Sequence, residues 1–596
     1  MRRLLRRASE LTVMPDTPSA WLAGAHAFRA DDPDPETQNE LDELLREPNL
    51  AELRERFGEH LTFGTAGLRG LLGAGDNRMN RRVVAQTTAG LCAYLKAKQP
   101  DAALRGLCVA FDARHKSREF AAEVMAVANG AGFVVHAFDD VTPTPLLAFA
   151  VLDRAAAGGV MITASHNPAA YNGYKVYLAD GAQLLEPHDA GIAQASLACG
   201  PVLALPRLTR EAAIAAGLLR SLADIERRYL AGLEARLQPE PPQPEQRVAY
   251  TALHGVGEHW ARAALELAGA RHVTSVTAQA TPDPTFPTVA FPNPEEPGAL
   301  DMLLALGQDA QADLALANDP DADRLAVAAR TTSHELQVLT GNELGVLLAD
   351  YLLTHAAQDG RNLVVSSIVS TPLVGRICAA HAARWEATLT GFKWIVQRGL
   401  ELQAREGLRF VLGFEEALGY CIGTLVHDKD GIAAAAHTVR MASWHASRGA
   451  TLHAALETLY RRHGLFESRQ LSIALSGEAG VAKLQSSMQR LRTQPPLRIA
   501  GRSVTSRLDL ETGVLVHGSQ RSAATLAKSN LLTFELEHAQ RITIRPSGTE
   551  PKLKIYLDCT TPIAVDEPLP AARARVRRML ESIARDFLQQ AGLESR

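Results

Sequence analysis

From about residue 61 to residue 235 the chain alternates short apolar runs with helical stretches, and that alternation confines it to a mostly parallel α/β arrangement. Leu107–Phe111 and Phe133–Phe138 read as buried strands, with a helical stretch, Arg118–Gly130, between them. Strand, helix and strand in that order form a βαβ unit, whose crossover helix covers the sheet. Strand character returns at Arg247–Leu253, Asp313–Ala317, Leu325–Ala329, Leu363–Ile368 and Phe410–Leu412, and a helix opens near Gly341-Asn342-Glu343. The end of the chain changes character. There, Arg541–Ile544 and Lys552–Leu557 are alternating strands around a loop, and a long charged helix follows from Pro570. A chain of 596 residues exceeds what one core can hold, so three to five domains are expected. Residues 15–60 read as helix, with Leu41, Leu44, Leu45 and Leu53 on an amphipathic pattern, and Gln238–Pro244 is the clearest linker.

Charge and cysteine usage exclude several classes. A net charge of −4 with 21% charged residues gives no chain-wide surface for a polyanion, so no nucleic-acid partner is expected. The six cysteines lie far apart without a CxxC pair, which argues against zinc and disulfides and suits a reducing cytoplasm. No run of about 18 apolar residues occurs, so no membrane span is expected. The start, MRRLLRRASELTVM, is basic but lacks the apolar stretch of a signal peptide, and Met14 is an alternative start.

Reactive side chains collect on loops that follow apolar runs. Val160-Met161-Ile162 leads into Thr163-Ala164-Ser165-His166-Asn167-Pro168, which puts Ser165 on a loop at a strand end, and Asn172-Gly173 reads as a turn before a second strand, Tyr174–Leu178. Asn318-Asp319-Pro320-Asp321-Ala322-Asp323-Arg324 sets three carboxylates at alternate positions, a donor set for a hard divalent cation. An EF-hand fails on spacing, since Arg324 stands at the turn-glycine position and Arg330 at the bidentate-glutamate position. Gly413–Tyr420 carries adjacent acids, Glu415 and Glu416, suited to sugar hydroxyls. Arg545–Lys552 combines an arginine, the hydroxyls of Ser547 and Thr549, Gly548 and nearby lysines, the ingredients of a phosphate cradle. Phe63–Gly70 adds a glycine-rich loop with Arg69.

In this order and spacing, TASHNP, DPDADR, GFEEALGY and RPSGTEPK resemble the α-D-phosphohexomutases over roughly residues 60–560. FGTAGLRG, followed by Arg78-Met79-Asn80, is most similar to the branch holding bacterial phosphoglucomutases and animal phosphopentomutases. The resemblance implies three α/β domains with mixed sheets plus a C-terminal α+β domain around a central cleft. The expected division is an N-terminal helical extension at 1–60, a phosphoserine domain at 61–237 and a metal domain at 247–340, then a sugar-binding domain at 341–470 and a phosphate-binding domain at 471–596. Ser165 would carry the phosphoryl group, and Asp319, Asp321 and Asp323 would bind one Mg²⁺ together with it. Arg69, His166, Lys175 and Arg324 would surround the reacting phosphate, with Lys175 as the proton shuttle, a role that needs its pKa lowered by its surroundings. Thr390, Gly391, Lys393, Glu415 and Glu416 would contact the sugar, and Arg545, Ser547, Gly548, Thr549 and Lys554 the phosphate that is not reacting.

The implied activity is interconversion of glucose 1-phosphate and glucose 6-phosphate, with glucose 1,6-bisphosphate as intermediate and activator. Many hexomutases carry a serine two residues after the sugar-reading glutamate, whereas this chain has Ala417 there. The departure keeps pentose phosphates in play, with mannose phosphate and a sugar bisphosphate synthase as further alternatives.

Overall fold

The computed structural model describes residues 16–63, 67–237, 244–474, 477–546 and 552–593. Its backbone gathers into two compact units that do not follow chain order. The described residues up to Arg330, joined by Glu335–Leu339 and Ala417–Ser447, make the first, and Thr340–Glu416 with the residues from Arg448 onward make most of the second.

The first unit carries two mixed sheets. One has strands β1 (Leu68–Leu71), β2 (Leu107–Phe111), β3 (Val135–Ala137), β4 (Gly158–Ile162), β5 (Tyr171–Leu178) and β6 (Leu219–Ser221), in the order β1-β5-β4-β2-β3-β6. Its β4-β2-β3-β6 stretch is parallel, while β5 runs antiparallel to both β1 and β4. The helix Ser117–Gly130 joins β2 to β3, as the alternation predicts. Every residue of β2 and β4 is buried, so these strands read as continuous apolar runs with helices packed on the sheet. The second sheet orders β7 (Arg247–Thr251), β8 (His272–Ser275), β9 (Leu314–Asn318), β10 (Leu325–Arg330) and β11 (Leu336–Leu339) as β11-β10-β9-β7-β8. Strand β15 (Gly419–Ile422) and the helix Gly431–Ala446 also belong to this unit.

Two local expectations are corrected. Residues 15–60 are not one helix: Pro18–Asp31, Pro35–Arg46 and Leu50–Phe57 are separate, each opened by a side-chain cap from Thr17, Asp34 or Asn49. Pro33 and Pro48 sit at the breaks, where the missing N–H and the fixed ring end a helix. Trp21, Phe28, Leu41, Leu53 and Phe57 close a core among the three. Nor is Asn172-Gly173 a turn. Both lie inside β5, opposite Gly70 and Arg69 of β1, and Asn172 donates to the His115 carbonyl at 2.8 Å and to Ser117 at 3.0 Å. Pairing and buried side-chain bonds override the local turn preference.

In the second unit, strands β12 (Asn362–Ser367), β13 (Arg384–Thr388) and β14 (Arg409–Glu415) are parallel, with β12 central. An antiparallel sheet follows: β16 (Leu465–Ala474), β17 (Arg498–Ile499), β18 (Arg502–Asp509), β19 (Val514–His517), β20 (Gln520–Ala523), β21 (Leu532–Leu536), β22 (Gln540–Pro546) and β23 (Lys552–Thr561). Its order is β16-β23-β22-β21-β18-β19-β20, with β17 paired to β18. The closing helix, Leu569–Ala591, buries Val576, Leu580, Ile583 and Phe587 at helical spacing. No helix among the described residues is long and apolar enough to cross a membrane.

Candidate functional site

Strand β4 delivers the chain into Thr163-Ala164-Ser165, where Ser165 adopts a left-handed backbone with φ 54°. That conformation costs a non-glycine residue about 1–2 kcal/mol, so something must hold it. Arg114 does. The residue is only 4% exposed, and its guanidinium donates to the carbonyls of Ser165 (2.6 Å), Asn167, Pro168 (2.9 Å) and Tyr171 (3.2 Å). Asp112 faces Arg114 at 3.4 Å and the Phe286 ring lies 5.0 Å from the guanidinium. The Ser165 N–H donates to Thr163 Oγ1 at 2.8 Å.

The acidic loop after β9 meets this serine. Ser165 Oγ donates to Asp319 Oδ2 at 2.9 Å and lies 3.2 Å from His166 Nδ1. Local bonds close the loop: Tyr250 donates to Asn318 Oδ1 at 2.7 Å, and Asn318 Nδ2 to the Arg324 carbonyl at 2.6 Å. Thr144, at the start of the helix Thr144–Asp153, donates its N–H to the Asp321 carbonyl (2.9 Å) and its hydroxyl to Asp321 Oδ2 (2.7 Å). Gly431 opens the helix Gly431–Ala446 against the same loop, where a Cβ would lie 2.3 Å from the Arg324 carbonyl oxygen.

Asp319, Asp321 and Asp323 are fully or almost fully buried, with carboxylate oxygens within 4.8 Å of one another. Asp321 Oδ1 and Asp323 Oδ1 are buried without a hydrogen-bond partner. Orphaned oxygens on two of three converging carboxylates, with nitrogen and sulfur donors absent from the set, fit a hard cation such as Mg²⁺.

Electrostatics divides the roles. Burial and the charges of Asp321 and Asp323 push the Asp319 carboxyl well above the carboxylate range. Burial acts on Asp323 too, but Lys175, Lys429 and Arg324 outweigh it and hold its carboxyl low. Lys175, 1% exposed, bonds Asp321 at 2.7 Å and Asp323 at 3.1 Å. Burial opposes its charge, yet the two aspartates raise its pKa, so the lowered pKa a proton shuttle requires is not what surrounds it here. Burial, then Arg324 and Arg69, drives His166 well below its ordinary range and leaves a neutral imidazole. Arg69 donates to Asn167 Oδ1 at 3.3 Å, and Arg324 pairs with Glu295 at 3.3 Å and reaches Asp319 at 4.0 Å. Ser165, His166, Lys175, Arg69, Arg324 and the three aspartates therefore converge in one place.

Lys429 is a member the sequence reading missed. It precedes the helix Gly431–Ala446 and pairs with Asp323 at 3.2 Å and with Asp428 at 3.3 Å. Tyr177 and Gln183 fix Asp428 from behind, donating to its Oδ2 at 2.6 and 2.7 Å. The run His427-Asp428-Lys429-Asp430-Gly431, charges set just before a capped helix, was the available signal.

In the second unit, β14 ends on Glu415, whose Oε1 accepts the Gly391 N–H at 3.0 Å. Gly391 has φ 114°, a conformation open to glycine. Thr390 Oγ1 is buried without a partner. Glu416 accepts from Ser367 (3.0 Å) and Ser370 (3.1 Å), which ties it to the protein. Arg545 Nη2 donates to the Tyr556 hydroxyl at 3.2 Å, its Nε is buried and unpartnered, and the Glu415 and Glu416 charges act on that same hydroxyl. Lys393 follows in the helix Phe392–Glu406, and Lys554 stands opposite Arg545 on β23. Ser547, Gly548 and Thr549 lie outside the described residues.

Three family models match: phosphoglucomutase/phosphomannomutase alpha/beta/alpha domain I over residues 60–198, domain II over 227–332 and domain III over 340–463. A human phosphopentomutase is 34% identical over 569 residues, 92% of each chain. A Staphylococcus haemolyticus phosphoglucomutase is 34% identical over 503 residues, 84% of this chain and 90% of its own. The crystal structure of a phosphoglucomutase/phosphomannomutase family protein from Burkholderia thailandensis shares the fold, with a TM-score of 0.64 at 18% identity over 90% of this chain and 98% of its own. The family uses Mg²⁺, and the buried aspartates are a group that could hold a metal ion. The chain belongs to the α-D-phosphohexomutases, isomerases that move a phosphoryl group within one sugar molecule.

Proposed function

We propose that the protein interconverts α-D-glucose 1-phosphate and glucose 6-phosphate through a phosphoserine at Ser165 and glucose 1,6-bisphosphate. The observation that carries this reading is the buried Ser165 hydroxyl, 2.9 Å from a carboxylate of an aspartate triad that retains orphaned oxygens. Asp319, Asp321 and Asp323 would hold one Mg²⁺ with a phosphoserine oxygen. When bound, the cation neutralises charge on the transferred group. Arg69 and Arg324 add positive charge around that group, and neutral His166 hydrogen-bonds it. Lys175, held as an ammonium between Asp321 and Asp323, adds a further positive charge beside that group. Glu415, with Thr390, Gly391 and Lys393, orients the sugar, and Glu416 braces the loop through its two serines. Arg545, Ser547, Gly548, Thr549 and Lys554 hold the other phosphate, so both ends of the substrate can use one clamp after the intermediate turns. Burial keeps water from the phosphoserine and so suppresses phosphatase activity.

A second reading, in which the substrate is ribose or deoxyribose 1-phosphate, is favoured by Ala417 and by likeness to the human phosphopentomutase. The deciding experiment offers equal glucose 1-phosphate and ribose 1-phosphate to purified enzyme with Mg²⁺ and a trace of glucose 1,6-bisphosphate, followed by phosphorus NMR. Faster conversion of the glucose ester supports the first reading, and faster conversion of the ribose ester replaces it with the second. Release of inorganic phosphate, net accumulation of bisphosphate, or turnover by Ser165→Ala would overturn the mutase mechanism itself.

A further inference from the structure

The second unit contains a cavity of about 690 Å³ that the mutase reaction does not use. Its lining brings together Arg376, Arg461, Arg462, Arg502, His463 and His538, and it includes no carboxylate side chain. In a chain of net charge −4, such a one-sided set is a local concentration of positive potential.

Existing interactions orient three of these groups but leave the cavity cationic. Arg376 donates to the His463 carbonyl and lies 5.2 Å from the Phe466 ring, and Arg502 donates to the Ala500 carbonyl at 3.1 Å. Carbonyls and rings do not cancel a guanidinium charge. Among the described residues, Arg461 alone of the four arginines is paired with a carboxylate, Glu457 at 2.6 Å. Acids in the neighbourhood are occupied: Glu567 with Arg575 (2.9 Å), Asp350 with His381 (2.9 Å) and Glu537 with the Ser503 N–H (3.3 Å). His538 and Ala539 on the rim have φ of 64° and 57°, a costly conformation for residues with a Cβ. Gln540, 3% exposed, forms part of the floor.

The cavity is also distinct from the phosphate loop. Both border β23, but Lys552 begins the strand beside that loop, while Thr560 and Thr561 end it in the cavity. At about 3.3 Å per residue, the strand separates the two by about 26 Å.

We infer that this cavity is a binding site for a small molecule bearing two or more phosphoryl groups, separate from the catalytic centre. Its volume suits a small ligand, arginine forks match phosphate oxygens, and several guanidiniums without counter-ions favour a polyanion over a single anion. The inference does not rest on the identity of the mutase substrate.

Isothermal titration of the full chain with inorganic pyrophosphate, in Mg²⁺-free buffer, tests it. Wild type, Arg545→Ala and Arg462→Gln/Arg502→Gln are compared, with orthophosphate as the single-anion control. The expected result is pyrophosphate binding that persists in Arg545→Ala, weakens at least tenfold in the double variant and exceeds orthophosphate binding at least tenfold. Arg462→Gln alone, on an exposed helix end, is expected to weaken binding about threefold and serves if the double variant melts early. No heat at millimolar pyrophosphate, equal affinity in the glutamine variants, loss of binding in Arg545→Ala, or equal affinity for both anions would each overturn the inference.

Discussion

Replacing Arg114 by lysine separates the clamp on the serine loop from its charge. Lysine still faces Asp112, but a single ammonium with three donors replaces a planar fork with five. The native guanidinium serves four carbonyls spread over Ser165–Tyr171, and an ammonium turned toward Asp112 reaches two of them. Two charge-assisted bonds at about 1.5 kcal/mol each are lost, so the left-handed Ser165 conformer is destabilised by about 3 kcal/mol. At 1.36 kcal/mol per decade this predicts a fall in kcat of about 100-fold. KM should stay within about threefold, because uniform substrate binding is not what the clamp supplies. The assay is steady-state conversion of the preferred sugar 1-phosphate, run beside a thermal melt. A role confined to folding would lower the melting temperature and leave kcat intact at temperatures where the protein is native. A folded Arg114→Lys enzyme with kcat within threefold of wild type would refute the clamp.

Three further outcomes follow from the same geometry. His437 is 2% exposed, its Nδ1 has no partner, and burial pushes its pKa down to about 4. Its unfolded pKa is higher, so the unfolded chain binds the proton first; stability is full above pH 6.5 and is lost as pH falls toward 4, by about 3 kcal/mol. Urea midpoints at pH 7.5 and 5 should converge in His437→Leu, and an unchanged pH dependence in that variant would exclude His437 as the cause. Thr144→Val removes the hydroxyl bonded to Asp321 at near-constant volume, and the Mg²⁺ dissociation constant should rise about tenfold, read by calorimetric titration; an unaltered constant counts against Thr144 as an orienting partner. Gly431→Ala forces a Cβ to 2.3 Å from the Arg324 carbonyl oxygen and should cost about 1–3 kcal/mol in urea unfolding while weakening Mg²⁺ binding, whereas wild-type behaviour would mean that the helix start is free to shift.

Much of the site was legible because its chemistry is local in sequence. Asp319, Asp321 and Asp323 alternate along one loop, and Ser165 follows a fully apolar strand; both patterns survive without knowledge of the fold. Strands such as Leu107–Phe111 were equally plain, being short apolar runs with helices between them. Arg114 and Thr144 gave no such signal. They stand about 50 and 20 residues before Ser165, and their value arises from carbonyls and carboxylates that reach them across the fold. The strands from Leu465 to Ala523 were also not apparent: Ser468, Arg469 and Gln470 of β16 and all of β20 are exposed, so no apolar run marks them.

By itself the sequence determined the α/β class, the acidic loop, the serine at a strand end and the family pattern, since each depends on residue type and short spacing. The tertiary structure decided what those groups are. It placed Lys429 against Asp323 by returning Ala417–Ser447 to the first unit. It also made Asn172-Gly173 a strand rather than a turn, and it set two aspartates beside Lys175 that raise its pKa against the opposing effect of burial. A pKa or a backbone conformation is set by every charge and donor within a few ångströms, and only folding brings these together from distant parts of the chain.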